Sequence, residues 1–479
     1  MFKTYDVSTV LDREERASSD QGGRLSRVAG PVLLWGLGVG YVISGHYYGW
    51  NSGLSASGYW GYLLAVAAAA LLYGSLTLVM AELTAAVPNA GGPSAFARVA
   101  LGNYGGYFCA MGVLIEYILA AAAIATAVGA YLNFLVVEIP PVAAGIGVYM
   151  LFTGVHLYGV SLSLKLELGL TGLAILMLVV FYFVAGPHLS LLRLNQVGHG
   201  AFLPHGLTGL WDAFPAAAWL FLGIEGLPMA TEEARDARRD VPRALLSSFV
   251  TLGLLAALTP TAAAGLGGAI TVGKADAPLP TAVAMGLGPR HWLARAVSMV
   301  GLAGLLASFH AIVLSYSRQL YALSRAGYLP GFLSRLNRRR TPGWALILPA
   351  VIGTGLVALG PFLPGSSIPT LVTVSVFGAA VSYVMMTLSA IVLHRRRSFA
   401  WPFTMVGGEA KAWVALALTI LLLLAGVHSH TAAVLQGGLT LLLLSVFYIL
   451  YSRPRVRARS LEEELKAPWG EVGPASEGE

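Results

Sequence analysis

Long hydrophobic stretches separated by short polar connections dominate the sequence. No Asp, Glu, Lys or Arg occurs in residues 28–81, 244–273, 341–394 or 412–452. A membrane-spanning helix needs about 20 mostly apolar residues, so the first and third runs each have room for two. The pattern predicts an all-α membrane protein with twelve transmembrane helices, at about residues 29–53, 59–87, 105–136, 141–160, 166–186, 213–233, 244–268, 291–317, 343–362, 370–394, 412–428 and 431–451.

Two of these spans carry residues that interrupt a helix. In span 6, Gly223, Gly226 and Pro228 lie within six residues of one another, and glycine and proline weaken the helical hydrogen-bond ladder. Span 1 carries a similar sequence at 43–45, Ile-Ser-Gly. Unwound backbone is tolerated at membrane depth only where protein buries it or where it lines a cavity. The sequence therefore predicts that helices 1 and 6 are broken and that a polar site lies between them.

The spacing of the two predicted breaks indicates a repeat. Five spans separate the start of span 1 from the start of span 6, and an odd number inverts the second copy in the membrane. This predicts a LeuT-type five-plus-five inverted repeat. We expect a tail at 1–27, a transporter core at 28–395 with repeats at about 28–186 and 213–395, helices 11 and 12 within 396–451, and a tail at 452–479.

Composition and charge agree with a polytopic membrane protein. Hydrophobic residues make up 56% of the chain and charged residues only 11%, against about 25% in soluble proteins. Of the 30 Lys and Arg residues, all but Arg193, Lys274, Arg290 and Arg295 lie on the side of the two termini. The net charge of +7 thus indicates orientation and not nucleic-acid binding. It predicts an integral protein of the plasma (bacterial inner) membrane bilayer with both termini cytoplasmic.

A broken helix offers backbone groups to a substrate. Carbonyls of the first half present a partial negative charge to the gap, and amides of the second half present a partial positive charge. A plain kink without function is the alternative interpretation. The predicted backbone contacts to a substrate are Ile43, Ser44 and Gly45 in span 1, and Leu222, Gly223 and Ile224 in span 6.

Ionisable and aromatic residues inside the spans are further candidates. Glu225 is a candidate for proton coupling or gating because a carboxylate at membrane depth is costly and by default marks a functional site. Glu116 and His310 are weaker candidates for the same role, and each of the three could instead be a packed structural group. Trp219 could close over a substrate cation or could be an interfacial tryptophan, and Tyr117 could reach the pocket.

Enzyme chemistry has no support in the sequence. It contains no HExxH, no Walker sequence and no CxxCH, so we predict neither an enzyme nor a direct use of ATP. Cys109 is the one cysteine, which excludes an internal disulfide and a cysteine-built metal site. We expect no cofactor and no metal, and a secondary transporter with a channel or a non-transporting sensor as remote alternatives.

Four stretches together resemble a known family. They are GVGYVISGHYYGWNSGL, AELTAAVPNAGGPSAFARVALG, GVLIEYILAAAAIATAVGAYL and WLFLGIEGLPMATEEARDARRDVPRAL. They look like the amino acid–polyamine–organocation (APC) superfamily permeases, and most closely like ethanolamine permeases. The resemblance implies alternating access, a substrate amine held by backbone at the breaks of spans 1 and 6, an aromatic gate at Trp219, and gating or proton movement at Glu225.

One position departs from the ethanolamine pattern. An acid is expected directly after the Ile-Ser-Gly of span 1, and this chain has His46 there. His46 is therefore predicted to contact the substrate and to affect selectivity. The prediction is import of a small organic amine, ethanolamine first, by proton symport. The alternative is an amino acid permease, symporter or exchanger, on the same fold.

Overall fold

The computed structural model describes residues 29–456 except 90, 137–138, 159–163, 198–200, 340, 363–366, 397–398 and 400. The predicted tail 1–27 and most of the predicted tail 452–479 lie outside the described residues. The α-helices of the described part are α1 (Pro31–Tyr47), α2 (Ser52–Ala86), α3 (Pro93–Leu135), α4 (Pro141–Leu157), α5 (Leu164–Ala185), α6 (Leu191–Leu194), α7 (Gly206–Trp219), α8 (Ala237–Gly267), α9 (Ala269–Gly273), α10 (Pro278–Leu287), α11 (Trp292–Arg325), α12 (Gly343–Leu359), α13 (Ser367–Arg395), α14 (Ala410–Ser429) and α15 (Thr431–Phe447). Short 3-10 segments cover Gly186–His188, Ile224–Glu233, Gly331–Ser334 and Gly360–Phe362, and a π-helical turn covers Tyr448–Ser452.

The predicted all-α membrane fold class is confirmed at that level. Within the described residues, 10 helical segments are long and apolar enough to cross a membrane, and the only strand-like pairings are isolated bridges. Each of the twelve predicted spans overlaps an α-helix, but α1 and α4 have only 17 residues each. The twelve-span count and the inverted repeat therefore stay predictions. The predicted loop 269–289 contains α9 and α10, which the pattern did not reveal.

The predicted break in span 1 was wrong in position. Residues 43–45 are part of α1, which continues to Tyr47. The chain leaves the helix at residues 48–51 and resumes in α2, whose first turns end at Gly58 with φ +69°. A serine and a glycine only weaken the ladder, whereas the extended backbone of Tyr48 and the positive φ of Gly49 end it. The interruption therefore lies a few residues beyond the sequence estimate.

Span 6 is interrupted close to its Gly/Pro-rich sequence. Helix α7 ends at Trp219, and after a turn Gly223 takes a left-handed φ of +105°, a conformation that glycine adopts without steric cost. The chain then continues as the 3-10 segment Ile224–Glu233, which contains Pro228. The helix axis is thus broken in the middle of the protein.

The two interrupted segments lie among the most buried helices. The apolar window of α3 is 78% buried, whereas that of residues 434–452 is 22% buried. Helix α13 packs along α3, and α1 packs against α5, α8 and α11. The ends of α1 and α7 therefore meet in the protein interior, while α5 and α15 form the periphery.

Candidate functional site

A small cavity lies where α1, α3, α7 and α11 meet. The space in it that a water-sized molecule can occupy is about 10 Å³. Every lining residue is buried, so the cavity lies inside the protein. The lining consists of Tyr41, Val42, Ser44 and Gly45 from α1, Glu116, Tyr117, Ala120 and Ile124 from α3, Trp219, Leu222 and Gly223 at the end of α7, and Ile312 from α11.

The cavity lies at the carboxyl ends of two helices. The last four carbonyls of an α-helix have no partner inside the helix and carry the negative end of its dipole. In α1, the carbonyl of His46 accepts from Trp50 Nε1 at 3.1 Å and that of Tyr47 accepts from the Tyr131 hydroxyl at 2.5 Å. Ser44 and Gly45, the other two residues of this last turn, line the cavity. The last four carbonyls of α7 already accept from Tyr62 and from the backbone amides of residues 220–222, so the partial negative charge at the cavity comes from the end of α1.

The backbone amides near the two interruptions have acceptors of their own. Gly223 N donates to Glu225 Oε2 at 3.3 Å, and Gly226 N donates to the Gly223 carbonyl at 2.9 Å. Ser44 N lies 3.4 Å from Ser308 Oγ. The arrangement therefore has more to offer a cation than an anion.

Trp219 closes one side of the cavity. Its indole Nε1 donates to the Tyr48 carbonyl at 2.8 Å, so the side chain of α7 is fixed to the connection that follows α1. The backbones also approach closely, because a Cβ atom at Gly45 would lie 2.8 Å from the Trp219 carbonyl oxygen. The interrupted parts of both helices are thus held together directly beside the cavity.

A pair of buried carboxyl groups lies at the cavity and behind it. Glu116 lines the cavity, and its side chain interacts with that of Glu225, which lies outside the lining. Glu225 Oε2 accepts from the Tyr383 hydroxyl at 2.8 Å, and the Tyr383 and Tyr73 hydroxyls are 3.2 Å apart. A hydroxyl has one proton, so Tyr383 donates to Glu225 and accepts from Tyr73. This network links α3, the interruption of span 6, α13 and α2.

Comparison with known proteins identifies the family. The model of an amino acid permease family matches residues 30–450. The chain belongs to this family. The permease is 27% identical to an uncharacterized transporter of Rhizobium meliloti, over 90% of this chain and 91% of that protein. It is 24% identical to the aromatic amino acid transport protein AroP of Salmonella typhimurium, over 81% of this chain and 85% of that protein. It is also 24% identical to the branched-chain amino acid permease BcaP of Bacillus subtilis, over 81% of this chain and 84% of that protein.

The family assignment confirms the coarser predictions. The chain is an integral membrane transporter of the amino acid permease type, and its family consists of transporters and not of enzymes. The predicted resemblance to the APC superfamily is confirmed at this level. These matches do not show specificity for ethanolamine or coupling to protons.

The structure of the permease brings seven of the twelve predicted site residues to the cavity. These are Ser44, Gly45, Glu116, Tyr117, Trp219, Leu222 and Gly223. The lining does not include Ile43, His46, Ile224, Glu225 or His310.

Two predicted histidines lie away from the cavity. His46 is fully buried, and neither of its ring nitrogens has a hydrogen-bond partner among the described residues. The ring of His310 stacks on that of His156 in α4, with centroids 4.4 Å apart. Both rings are therefore packed within the helix bundle.

Several residues of the site were not predicted. Tyr73, Tyr383 and Ile312 come from helices that the sequence did not connect with the breaks. Hydroxyl-bearing and apolar residues are common in membrane helices, so no local signal distinguishes these three. Tyr41 of α1 also lines the cavity, and its hydroxyl lies 2.9 Å from Ser315 Oγ.

The described residues of the permease do not form an obvious metal site. Among the described residues, no group of three or more His, Cys, Asp or Glu side chains is placed to hold a metal ion. The site is built instead from carbonyls, two carboxyl groups and aromatic rings. This is the chemistry of binding and not of catalysis.

A second buried charge network lies at the end of α2. Glu82 accepts from Lys411 Nζ at 2.7 Å, from His394 Nε2 at 3.1 Å and from the backbone amide of Met405. The Glu82 and Lys411 side chains are 1% and 4% exposed. The network fixes the ends of α2, α13 and α14 to one another.

Proposed function

We propose that this permease imports a small organic amine, with ethanolamine as the first candidate, by proton-coupled alternating access. The observation that carries the proposal is the charge of the cavity. Its described lining combines the carboxyl end of α1 with Glu116 and contains no Lys or Arg. At neutral pH a primary amine is an ammonium ion, which such a lining stabilises.

The amide pattern favours a substrate without a carboxylate. An α-amino acid needs donors for its carboxylate group, and the amides of Ser44, Gly223 and Gly226 already have acceptors within the protein. Ethanolamine has only an amine and a hydroxyl, for which Ser44 is a suitable partner.

The aromatic lining has a role in this proposal. Trp219 and Tyr117 both face the cavity, and aromatic faces attract ammonium groups. Trp219 is also bonded to the segment after α1. We infer that its indole covers the amine when the two interrupted helices close over it.

Proton coupling is supported by the two carboxyl groups. Glu116 and Glu225 are 1% and 0% exposed, and their side chains interact. Two buried carboxylates in contact strongly disfavour being charged at the same time, so a proton or a cation must accompany them. We propose that this pair holds the transported proton while Glu116 faces the substrate amine. His310 has no place in this scheme.

The architecture behind this cycle is also proposed. Twelve spans, with the two interrupted segments in corresponding positions of an inverted repeat, would place the cavity on the axis of alternating access. The bias of Lys and Arg towards the side of the termini supports cytoplasmic termini in a bacterial inner membrane.

Import of an amino acid is the second candidate. It is favoured by the names of the relatives AroP and BcaP, which are described as transporters of aromatic and branched-chain amino acids. The apolar residues Val42, Ile124 and Ile312 of the lining would suit a small apolar side chain. The ring of an aromatic amino acid fits the small cavity less well.

The test is uptake of labelled ethanolamine into proteoliposomes under an imposed pH gradient, with and without sodium. We expect accumulation driven by inward protons, competition by small amines, and loss of the pH-driven component in Glu225→Gln. The matched control is Asp236→Asn, a change in an exposed carboxylate (side chain 48% exposed) on the connection that follows the same span. Competition by amino acids without any ethanolamine uptake would refute the substrate and favour the second candidate. Equal uptake with and without a proton gradient would refute the coupling.

A further inference from the structure

The connection between α11 and α12 forms a short hairpin with arginines at its tip. Asn337 N donates to the Thr341 carbonyl at 2.8 Å. The side-chain Oδ1 of Asn337 accepts from Arg339 N at 2.9 Å and from Thr341 N at 3.0 Å. The tip is the Arg-Arg-Arg sequence at 338–340, whose last residue lies outside the described part. These bonds fix the backbone that carries the tip.

The hairpin is attached to the carboxyl end of α4. Asn337 Nδ2 donates to the Leu157 carbonyl at 3.0 Å. The guanidinium of Arg339 lies 3.9 Å from the centroid of the Tyr158 ring and donates to the Tyr158 carbonyl at 3.4 Å. A basic side chain is favourable at a helix carboxyl end, and the ring face attracts the guanidinium. The arginines are therefore presented in a fixed place and not on a free loop.

Among the described residues, no acidic side chain pairs with the arginines of the hairpin. The sequence contains no Asp or Glu from residue 277 to residue 408, and every basic residue other than histidine in that range is arginine. Arg335, Arg338 and Arg339 are exposed, and none of them takes part in an ion pair within the described residues. Guanidinium groups bind phosphate with two parallel hydrogen bonds, which ammonium groups do not provide.

Exposed apolar side chains surround these arginines. Phe332, Leu336 and Trp344 are 42%, 48% and 54% exposed, and Tyr158 is 64% exposed. Trp344 lies in the first turn of α12, which is a candidate membrane span. Tryptophan and tyrosine concentrate at the level of the lipid headgroups. The hairpin therefore lies at the depth where lipid phosphates are found.

We propose that this arginine hairpin, residues 335–339 and 341–344 together with Tyr158 of α4, is a docking surface for the phosphate groups of anionic lipids in the adjacent leaflet. Charge complementarity and the aromatic residues at headgroup depth select this partner. The surface holds the ends of α4, α11 and α12 to the membrane. The proposal does not depend on which substrate the permease carries.

The test uses the full-length permease in lipid nanodiscs of phosphatidylcholine with an increasing fraction of phosphatidylglycerol. The readouts are the thermal unfolding midpoint and the phosphatidylglycerol that copurifies with the protein. We expect phosphatidylglycerol to raise the midpoint of the wild type. Each arginine near a membrane surface contributes about a fivefold factor in anionic-lipid affinity. Arg338→Gln should therefore shift the lipid titration about fivefold, and Arg338→Lys should keep most of the effect.

A matched control is present in the same chain. Arg455 lies 4.0 Å from the centroid of the Tyr451 ring and donates to the Tyr451 carbonyl at 2.8 Å, which reproduces the arrangement of Arg339 without the hairpin. Arg455→Gln should shift the titration less than Arg338→Gln, because Arg455 lies outside the proposed docking surface. The proposal is overturned if Arg338→Gln titrates like the wild type or if Arg455→Gln shifts equally. It is also overturned if inorganic phosphate stabilises the protein in phosphatidylcholine alone as phosphatidylglycerol does, since the ligand is then a free anion.

Discussion

The Tyr383→Phe substitution tests whether Glu225 is charged in the closed protein. Tyr383 donates to Glu225 Oε2 at 2.8 Å, and among the described residues the other donor to that oxygen is the Gly223 amide at 3.3 Å. Phenylalanine keeps the ring and its edge-on contact with Tyr73, whose centroid lies 5.6 Å away. The change therefore removes one donor and little packing.

The size of the effect depends on the state of the carboxyl group. A hydrogen bond to a charged partner contributes about 1.5–3 kcal/mol, and one between neutral groups about 0.5–1.5 kcal/mol. If Glu225 is a carboxylate in the closed state, Tyr383→Phe should disfavour that state about 10- to 150-fold. If Glu225 is protonated there, the factor should be about 2 to 10.

The assay is initial uptake by proteoliposomes over a range of external pH. We expect Tyr383→Phe to lower uptake and to change the shape of the pH profile. Tyr73→Phe is the control because it alters the same network one bond further from the carboxyl group. The reasoning would be refuted by a Tyr383→Phe profile parallel to that of the wild type, or by equal losses in the two variants.

Three further substitutions follow from close contacts in the structure. Gly45→Ala should raise the substrate KM about 5- to 150-fold, because overpacking costs about 1–3 kcal/mol and the new Cβ would lie 2.8 Å from the Trp219 carbonyl. Lys411→Met should lower the free energy of unfolding by about 3–5 kcal/mol, because it leaves the Glu82 carboxylate buried without its cation; thermal unfolding in detergent measures this. Asn51 Nδ2 donates to the carbonyls of residues 272, 273 and 275 at 2.8, 3.4 and 2.9 Å. Asn51→Asp should release the segment 272–275, and amide hydrogen exchange in that segment should rise.

Each of these has a matched control. Gly154→Ala places a Cβ in open space on α4, so an equal rise in KM would contradict the role of Gly45. The double variant Glu82→Gln, Lys411→Met should recover part of the lost stability, and additive losses would contradict the pairing. Ser55→Ala removes a 3.4 Å contact with the Gly273 carbonyl and a bond to the Ser52 carbonyl of its own helix at 3.0 Å. The same increase in exchange at 272–275 would show that Asn51 is not the main group that holds this segment.

The sequence predicted the parts of the fold that depend on local patterns. Runs without charge gave helices at all twelve predicted spans, because burial in a bilayer excludes charged residues. The interruption of span 6 was predictable since Gly223, Gly226 and Pro228 each act on the backbone near their own position. The interruption of span 1 was misplaced because Ser44 and Gly45 are compatible with a helix, and the residues that end it, 48–51, contain no proline.

The site was only partly predictable because its geometry depends on packing. Glu116 and Trp219 stood out as unusual residues for a membrane span, and both line the cavity. The partner of Glu225 could not be found in the same way, since Tyr383 lies 158 positions away and the chain has 20 tyrosines. The same holds for Lys411, which binds a carboxylate 329 positions away.

His46 shows how far a departure from a family motif affects a site. The resemblance to ethanolamine permeases places an acid after Gly45, and a histidine there suggested a change in selectivity. In the structure the histidine is buried outside the lining, whereas Glu116 lies on the lining and Glu225 lies close to it. In the proposed function, the negative charge for a cationic substrate is supplied by α3 and by the carboxyl end of α1. Because these groups surround the cavity without help from position 46, the loss of the acid does not remove the basis for binding an amine.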